Sequence, residues 1–202
     1  MNAIATHSRY KLGGKKVEKK IPQPKLLTYE DYVKLTPPDN GNFELLNGQI
    51  YFMASPKPSH QEISSLLNTY LGIFIITHKL GKLFAAPMDV IFTPHDTFQP
   101  DLLFITKERL NIIGENKIEG SPDLVVEILS PSNDTNEMSY KKHIYEITGV
   151  KEYWLINVEK QSLTLYKQVD NELRWQRDIQ KNDVLTSEII KGFELELNKI
   201  FE

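Results

Sequence analysis

The sequence predicts an α+β fold, a mixed and strongly curved β-sheet with a few helices packed against it. Three observations carry this reading. Two short apolar runs, DLLFIT from Asp101 and DLVVEIL from Asp123, are bounded by Pro, Ser or Gly and suit strands buried on both faces. Ile63, Leu66, Leu67, Tyr70, Leu71, Phe74 and Ile75 recur at helical spacing, giving one apolar stripe able to cover a sheet. Turn and breaker residues separate the other strand-like segments, with no internal repeat or second linker among them.

Taken in order, residues 1–25 read as a flexible basic arm, with Gly13-Gly14, Pro22 and Pro24 opposing regular structure. Seven of the chain's 24 basic residues and one of its 27 acidic residues lie there, so 17 basic and 26 acidic residues follow, a net −9 against −3 for the whole chain. A basic arm can neutralise phosphates, and an acidic body can hold cations. Residues 26–202 then form a single domain of a length that supports one core. TYEDYVKL opens on a Thr28-x-x-Asp31 cap and stops at Pro37-Pro38, a short helix. NFELLNGQIYFMA reads as a hairpin, because Asn47-Gly48 favours the positive φ angles of a type I′ turn. Ser59-x-x-Glu62 reads as the capping box of the periodic helix, and Gly81 as its stop. KLFAAP and DVIFT are strand-like, NEMSYKKHIYEIT is a second long helix ended by Gly149, and EYWLIN and SLTLYKQV are a further strand pair. The remainder reads as strands and turns with a short terminal helix.

Several function classes drop out. The chain has no Cys, which excludes disulfides, thiolate zinc sites and a Cys nucleophile and is compatible with a reducing compartment. No apolar run approaches membrane-spanning length, and the first residues lack the apolar core of a secretory signal, so a cytoplasmic protein with no membrane partner is expected. Gly-rich phosphate loops and a G-x-S-x-G elbow are missing, and His7, His60, His78, His95 and His143 show no H-x-x-x-H pairing.

What remains is a set of carboxylates in apolar surroundings. Pro100-Asp101 and Pro122-Asp123 each open a strand, where Pro needs no ladder donor and Asp can act as an end cap or a solvated edge. Glu127 differs, because it interrupts the apolar run. Alternation puts Leu124, Val126 and Ile128 on one face and Val125, Glu127 and Leu129 on the other. A buried carboxylate there needs a cation, a Lys or Arg partner or strong hydrogen bonds, unless the strand lies at a solvated edge. Mg²⁺ commonly takes one or two carboxylates with water and phosphate completing its shell, so Asp101 and Glu127 from neighbouring strands would suffice. Glu137, Lys141 and Tyr145 line one helical face, where Lys141 could stabilise charge on a phosphate or form a plain surface pair with Glu137. Glu44, between Phe43 and Leu45, is either a third carboxylate of that site or ordinary alternation toward solvent. His60 could touch substrate or cap the helix.

FELLNGQIYFMASPKPSHQEI, APMDV, QPDLLFI, GSPDLVVEILSPSN and KKHIYEITGVKEYWLIN occur in this order. Over residues 26–202 the chain therefore resembles the Uma-type family of restriction-endonuclease-like proteins, once catalogued as a domain of unknown function, a branch of the PD-(D/E)XK nuclease superfamily. The resemblance implies a restriction-endonuclease-like mixed sheet flanked by helices, a Mg²⁺- or Mn²⁺-dependent endonuclease acting on DNA, and Asp101 and Glu127 as metal ligands. It makes Glu44 the early acid of the site. The superfamily's Lys, expected two residues after the second acid, is Leu129 here; the family pattern transfers its role to Lys141, with Lys142 as a rival and a candidate substrate contact. Taking Asp123 with Glu127 instead would set both acids on one strand about 13 Å apart. The departure at Leu129 keeps a second expectation open, a nuclease fold without activity that binds nucleic acid or protein. A third is an interaction protein, with the aromatics of EYWLIN and ELRWQR either serving a homodimer or filling a core.

Overall fold

The computed structural model describes residues 10–12, 15–17, 25–36, 42–129 and 135–201. The flexibility expected of the arm falls largely outside these residues; β1 (Tyr10–Leu12) and β2 (Lys15–Val17) form an antiparallel pair within it. Helix α1 (Tyr29–Leu35) starts on the expected box, with the Thr28 and Asp31 side chains capping reciprocally. Strands β3 (Asn42–Leu46) and β4 (Gln49–Met53) form the hairpin, with Asn47 at φ 48° and Gly48 at φ 68°. A Cβ on Gly48 would lie 2.7 Å from that of Leu26, so glycine is required twice over.

Helix α2 (Pro58–His78) departs from the expectation at both ends. Pro58 takes the first helical position and Lys57 becomes the N-cap, so Ser59 lies inside the first turn and caps nothing. At the other end Lys79, at φ 54°, adopts the left-handed cap conformation expected of Gly81. Gly81 is needed for a different reason: it begins β5, where a Cβ would stand 2.0 Å from the Ile105 carbonyl oxygen.

β5 (Gly81–Ala85), β6 (Val90–Thr93), β7 (Asp96–Phe98), β8 (Leu102–Thr106), β9 (Ile118–Glu119) and β10 (Leu124–Leu129) follow. Helix α3 (Thr135–Thr148), closed by Gly149 at φ 90°, then leads to β11 (Glu152–Asn157), β12 (Ser162–Val169), β13 (Glu172–Gln180), β14 (Val184–Thr186) and β15 (Glu194–Glu196). The strands divide between a six-stranded sheet, ordered β13-β12-β11-β10-β8-β5, and a five-stranded sheet, ordered β4-β3-β7-β6-β9, with β14 and β15 as a separate pair. In the larger sheet only β10 and β11 run parallel, and α3 makes the crossover between them.

Alternation along β10 separates two apolar layers. Leu124, Val126 and Ile128, with Leu102 and Phe104 of β8, pack against Ile63, Leu67, Leu71 and Ile75 of α2. Burying each of those helix side chains stabilises the fold by roughly 1.5–3 kcal/mol. On the opposite face Val125, Leu103 and Tyr153 pack against Ile144 and Tyr145 of α3 and against Val90 and Phe98 of the smaller sheet. The fold is thus α+β, with helices on both faces of a mixed sheet. Trp154 and Tyr153 fill these layers, whereas Trp175 is exposed. Among the described residues no helix is long and apolar enough to cross a membrane.

Candidate active site

Glu127 follows Val125 on the face toward α3, as the alternation of β10 requires, and is buried. β8 and β10 are antiparallel with Leu102 opposite Val126, and continuing this register by one residue sets Asp101 opposite Glu127. Residues so placed have Cβ atoms about 4.5–5.5 Å apart. The Ile128 N–H donates to Asp101 Oδ2 at 2.7 Å, which ties the two chain segments together at this point. His60, in the first turn of α2, brings Nε2 to 3.2 Å from the same oxygen. Among the described residues no hydrogen-bond donor meets Asp101 Oδ1.

The third carboxylate comes from the smaller sheet. Glu44 is buried, and its Oε1 accepts from the Gln99 backbone N–H at 2.8 Å. Lys141 reaches it from α3: Nζ donates to Oε1 at 2.9 Å and lies 2.7 Å from Oε2. The same ammonium is 3.7 Å from Glu127 Oε1 and 3.9 Å from Glu137 Oε1. Tyr145, one turn further along the same helical face, donates its hydroxyl to Glu127 Oε1 at 2.5 Å. Lys141 and Tyr145 are buried, so α3 presses a cation and a phenol onto the two acids.

Burial pushes the Glu127 carboxyl up to about 7, and the charges of Asp101 and Glu44 add to the rise against the opposing pull of Lys141 and Tyr145. Burial would lower the Lys141 ammonium, but Glu127 and Glu44 outweigh it and hold the ammonium charged. The Tyr145 hydroxyl is raised by burial and by the same two carboxylates, so it serves as a donor. For His60, desolvation acts downward; the hydrogen bond and charge of Asp101 overcome it, and the imidazole is raised.

Glu44, His60, Asp101, Glu127, Lys141 and Gln99 all line one cavity of about 420 Å³, which opens past Tyr51, Phe52 and Lys57. The sequence reading thus has its acids, His60 and Lys141 side by side. Lys142 is elsewhere: its Nζ lies 4.8 Å above the Tyr166 ring and 4.0 Å from Glu146, in a separate depression of about 380 Å³ beside Leu129. Gln99 and the Tyr145 hydroxyl were not read from the sequence as parts of the site. The only signal for Tyr145 was its spacing from Lys141, and Gln99 acts through its backbone, which no side-chain pattern reports.

Two opposed carboxylates, open on the cavity side and mutually repelling, fit a hard divalent cation that fills its shell with water and phosphate oxygen. Among the described residues no group of three or more His, Asp or Glu side chains could hold a metal by itself. Asp123 belongs to another arrangement. It is fully buried, accepts from the Thr106 N–H and hydroxyl at 2.9 and 3.0 Å, and meets Arg109 at 3.1 Å and Lys151 at 2.6 Å.

A mixed sheet whose neighbouring antiparallel strands β8 and β10 carry opposed acids, backed by a Lys-bearing crossover helix, is consistent with a nuclease-superfamily fold of the PD-(D/E)XK type. Comparison with known families agrees: residues 29–198 match Uma2, described as "putative restriction endonuclease", and the chain belongs to that family. Among solved structures it is similar in fold to one described as a "putative nuclease belonging to DUF820" from Anabaena variabilis. That similarity has a TM-score of 0.72 at 19% identity over 87% of this chain and 97% of the other. Comparison with curated proteins finds no match.

Proposed function

We propose that the protein is a metal-dependent endonuclease that hydrolyses phosphodiester bonds in DNA, with Asp101 and Glu127 as the metal-binding pair. The observation that carries this reading is the register of β8 and β10, which opposes these two acids at the floor of an open cavity. In the reaction a water oxygen bonds to phosphorus and gives up a proton to solvent, the bond from phosphorus to the departing sugar oxygen breaks, and that oxygen takes up a proton from solvent. A bound Mg²⁺ or Mn²⁺ would supply Lewis acidity toward the phosphate and lower the pKa of its water. The chain's own residues then have distinct tasks. The Ile128 N–H and His60 fix one oxygen of Asp101 and leave the other toward the cavity. Tyr145 fixes Glu127 in the same way. Glu44 anchors Lys141, whose ammonium meets negative charge developing on the phosphate.

Purified protein incubated with Mg²⁺ or Mn²⁺ and with plasmid or circular single-stranded DNA tests the reading. Metal-dependent nicking that disappears in Asp101→Asn is the expected result; Asp101→Asn cleaving as fast as the parent removes the assignment. A second reading, a binding module with a silent nuclease fold, is favoured by Leu129 at the superfamily's Lys position together with the tight engagement of Lys141 by Glu44. It requires DNA binding without cleavage on every substrate tried.

A further inference from the structure

We propose that Tyr51, with Phe52 beside it, is the stacking platform for an unpaired nucleobase next to the scissile phosphate, so that the substrate class is DNA with single-stranded character. This deepens the endonuclease reading and rests on it. Tyr51 is paired with Glu44 across the β3–β4 hairpin, so it shares the sheet face of the carboxylate that holds Lys141. Tyr51 is 43% exposed and Phe52 66% exposed, on the edge strand of the smaller sheet, and both border the cavity floored by Glu44, Asp101 and Glu127. Among the described residues the Tyr51 ring stacks on no other aromatic ring, and its hydroxyl makes one exposed contact, 3.4 Å from Gln49. Phe43 meets Phe52 edge-on at 5.5 Å and steadies the neighbouring ring.

Charge selects the occupant. A duplex is held chiefly through Lys and Arg on its phosphates; the basic arm can supply such contacts, but residues 26–202, which form the cavity, carry net −9 and its floor is made of acids. Stacking needs no cation and tolerates any base. In a duplex the bases already stack on one another, so an aromatic rim beside the cavity gains a face only from a base that has left its partner. Lys57, at the N-cap of α2 on the same rim, is placed for the adjoining phosphate.

The test measures binding by the full chain, with metal chelated so that cleavage does not enter. The probes are a fluorescein-labelled oligothymidylate and a blunt duplex of equal length. The parent should bind the single strand more tightly than the duplex. Tyr51→Ala should weaken that binding roughly tenfold or more and by the same factor at low and high salt, whereas Tyr51→Phe should retain it. The loss in Lys57→Gln should shrink as salt rises. Both positions are exposed, so thermal unfolding should be unchanged. Equal affinity for the two probes, an unaffected Tyr51→Ala, or no binding to either probe overturns the proposal. The outcomes separate from the endonuclease reading: metal-dependent cleavage with an indifferent Tyr51→Ala refutes the platform alone, and Tyr51-dependent binding without cleavage refutes the nuclease alone.

Discussion

Pro100-Asp101 and Pro122-Asp123 are the same dipeptide at the start of two neighbouring strands, and their carboxylates meet opposite surroundings. Asp123 is fully buried and oversupplied with donors, one oxygen taking the Thr106 backbone and hydroxyl and the other taking Arg109 and Lys151. Burial would raise its carboxyl, but those partners outweigh it and hold the group below the ordinary range. Asp101 has His60 and one backbone N–H on a single oxygen, and it faces a second acid, Glu127, whose carboxyl is raised. Asp123 has cations or other donors on both oxygens; among the described residues Asp101 has them on one oxygen only and shares a cavity with a second acid. That contrast is what the proposed function rests on: Asp123 reads as a structural carboxylate and Asp101 as the proposed ligand.

Substitution should split the pairs most sharply in catalysis. Asp101→Asn preserves shape and an acceptor for the Ile128 N–H, and should reduce metal-dependent cleavage on the order of a hundredfold or more with the unfolding midpoint nearly kept. Stability should move the other way at Asp123→Ala, by about 3 kcal/mol, because buried donors and cations lose their acceptor; denaturant unfolding measures this. The Asp123 contribution also has a fixed pH sense. Its folded pKa is depressed, so the stabilisation is complete above the ordinary carboxylate value and is lost as pH falls through the folded value. The stability gap between the parent and Asp123→Asn should therefore close on acidification, and a gap that widens would break the comparison. The smallest effect separates the two lysines: Lys141→Met should impair cleavage on the order of tenfold or more, and Lys142→Met, outside the cavity, should leave the rate within about twofold.

Much of this contrast was legible in the sequence, though unevenly. Period-2 alternation placed Glu127 opposite Val126, and helical spacing aligned Lys141 with Tyr145, because both are local properties of the chain. The register that sets Asp101 against Glu127 is not local, since a slip of one residue would have sent either acid to the α2 face. The Glu44–Lys141 contact joins positions 97 residues apart and needed two sheets and a helix to close. β7 and β9, of three and two residues, escaped detection because they are shorter than the alternation that reveals a strand. At α2 the capping pattern at Ser59 misled because Pro58, pre-set for the first helical turn, moved the start earlier.

Titration with Mn²⁺, followed by the loss of its free-ion paramagnetic resonance signal, tests the central claim most directly. The account predicts Mn²⁺ binding in the parent and in folded Asp123→Asn, and its loss in Asp101→Asn and Glu127→Gln. Undiminished Mn²⁺ binding in Asp101→Asn, or binding that vanishes with Asp123→Asn while that variant remains folded, would contradict it.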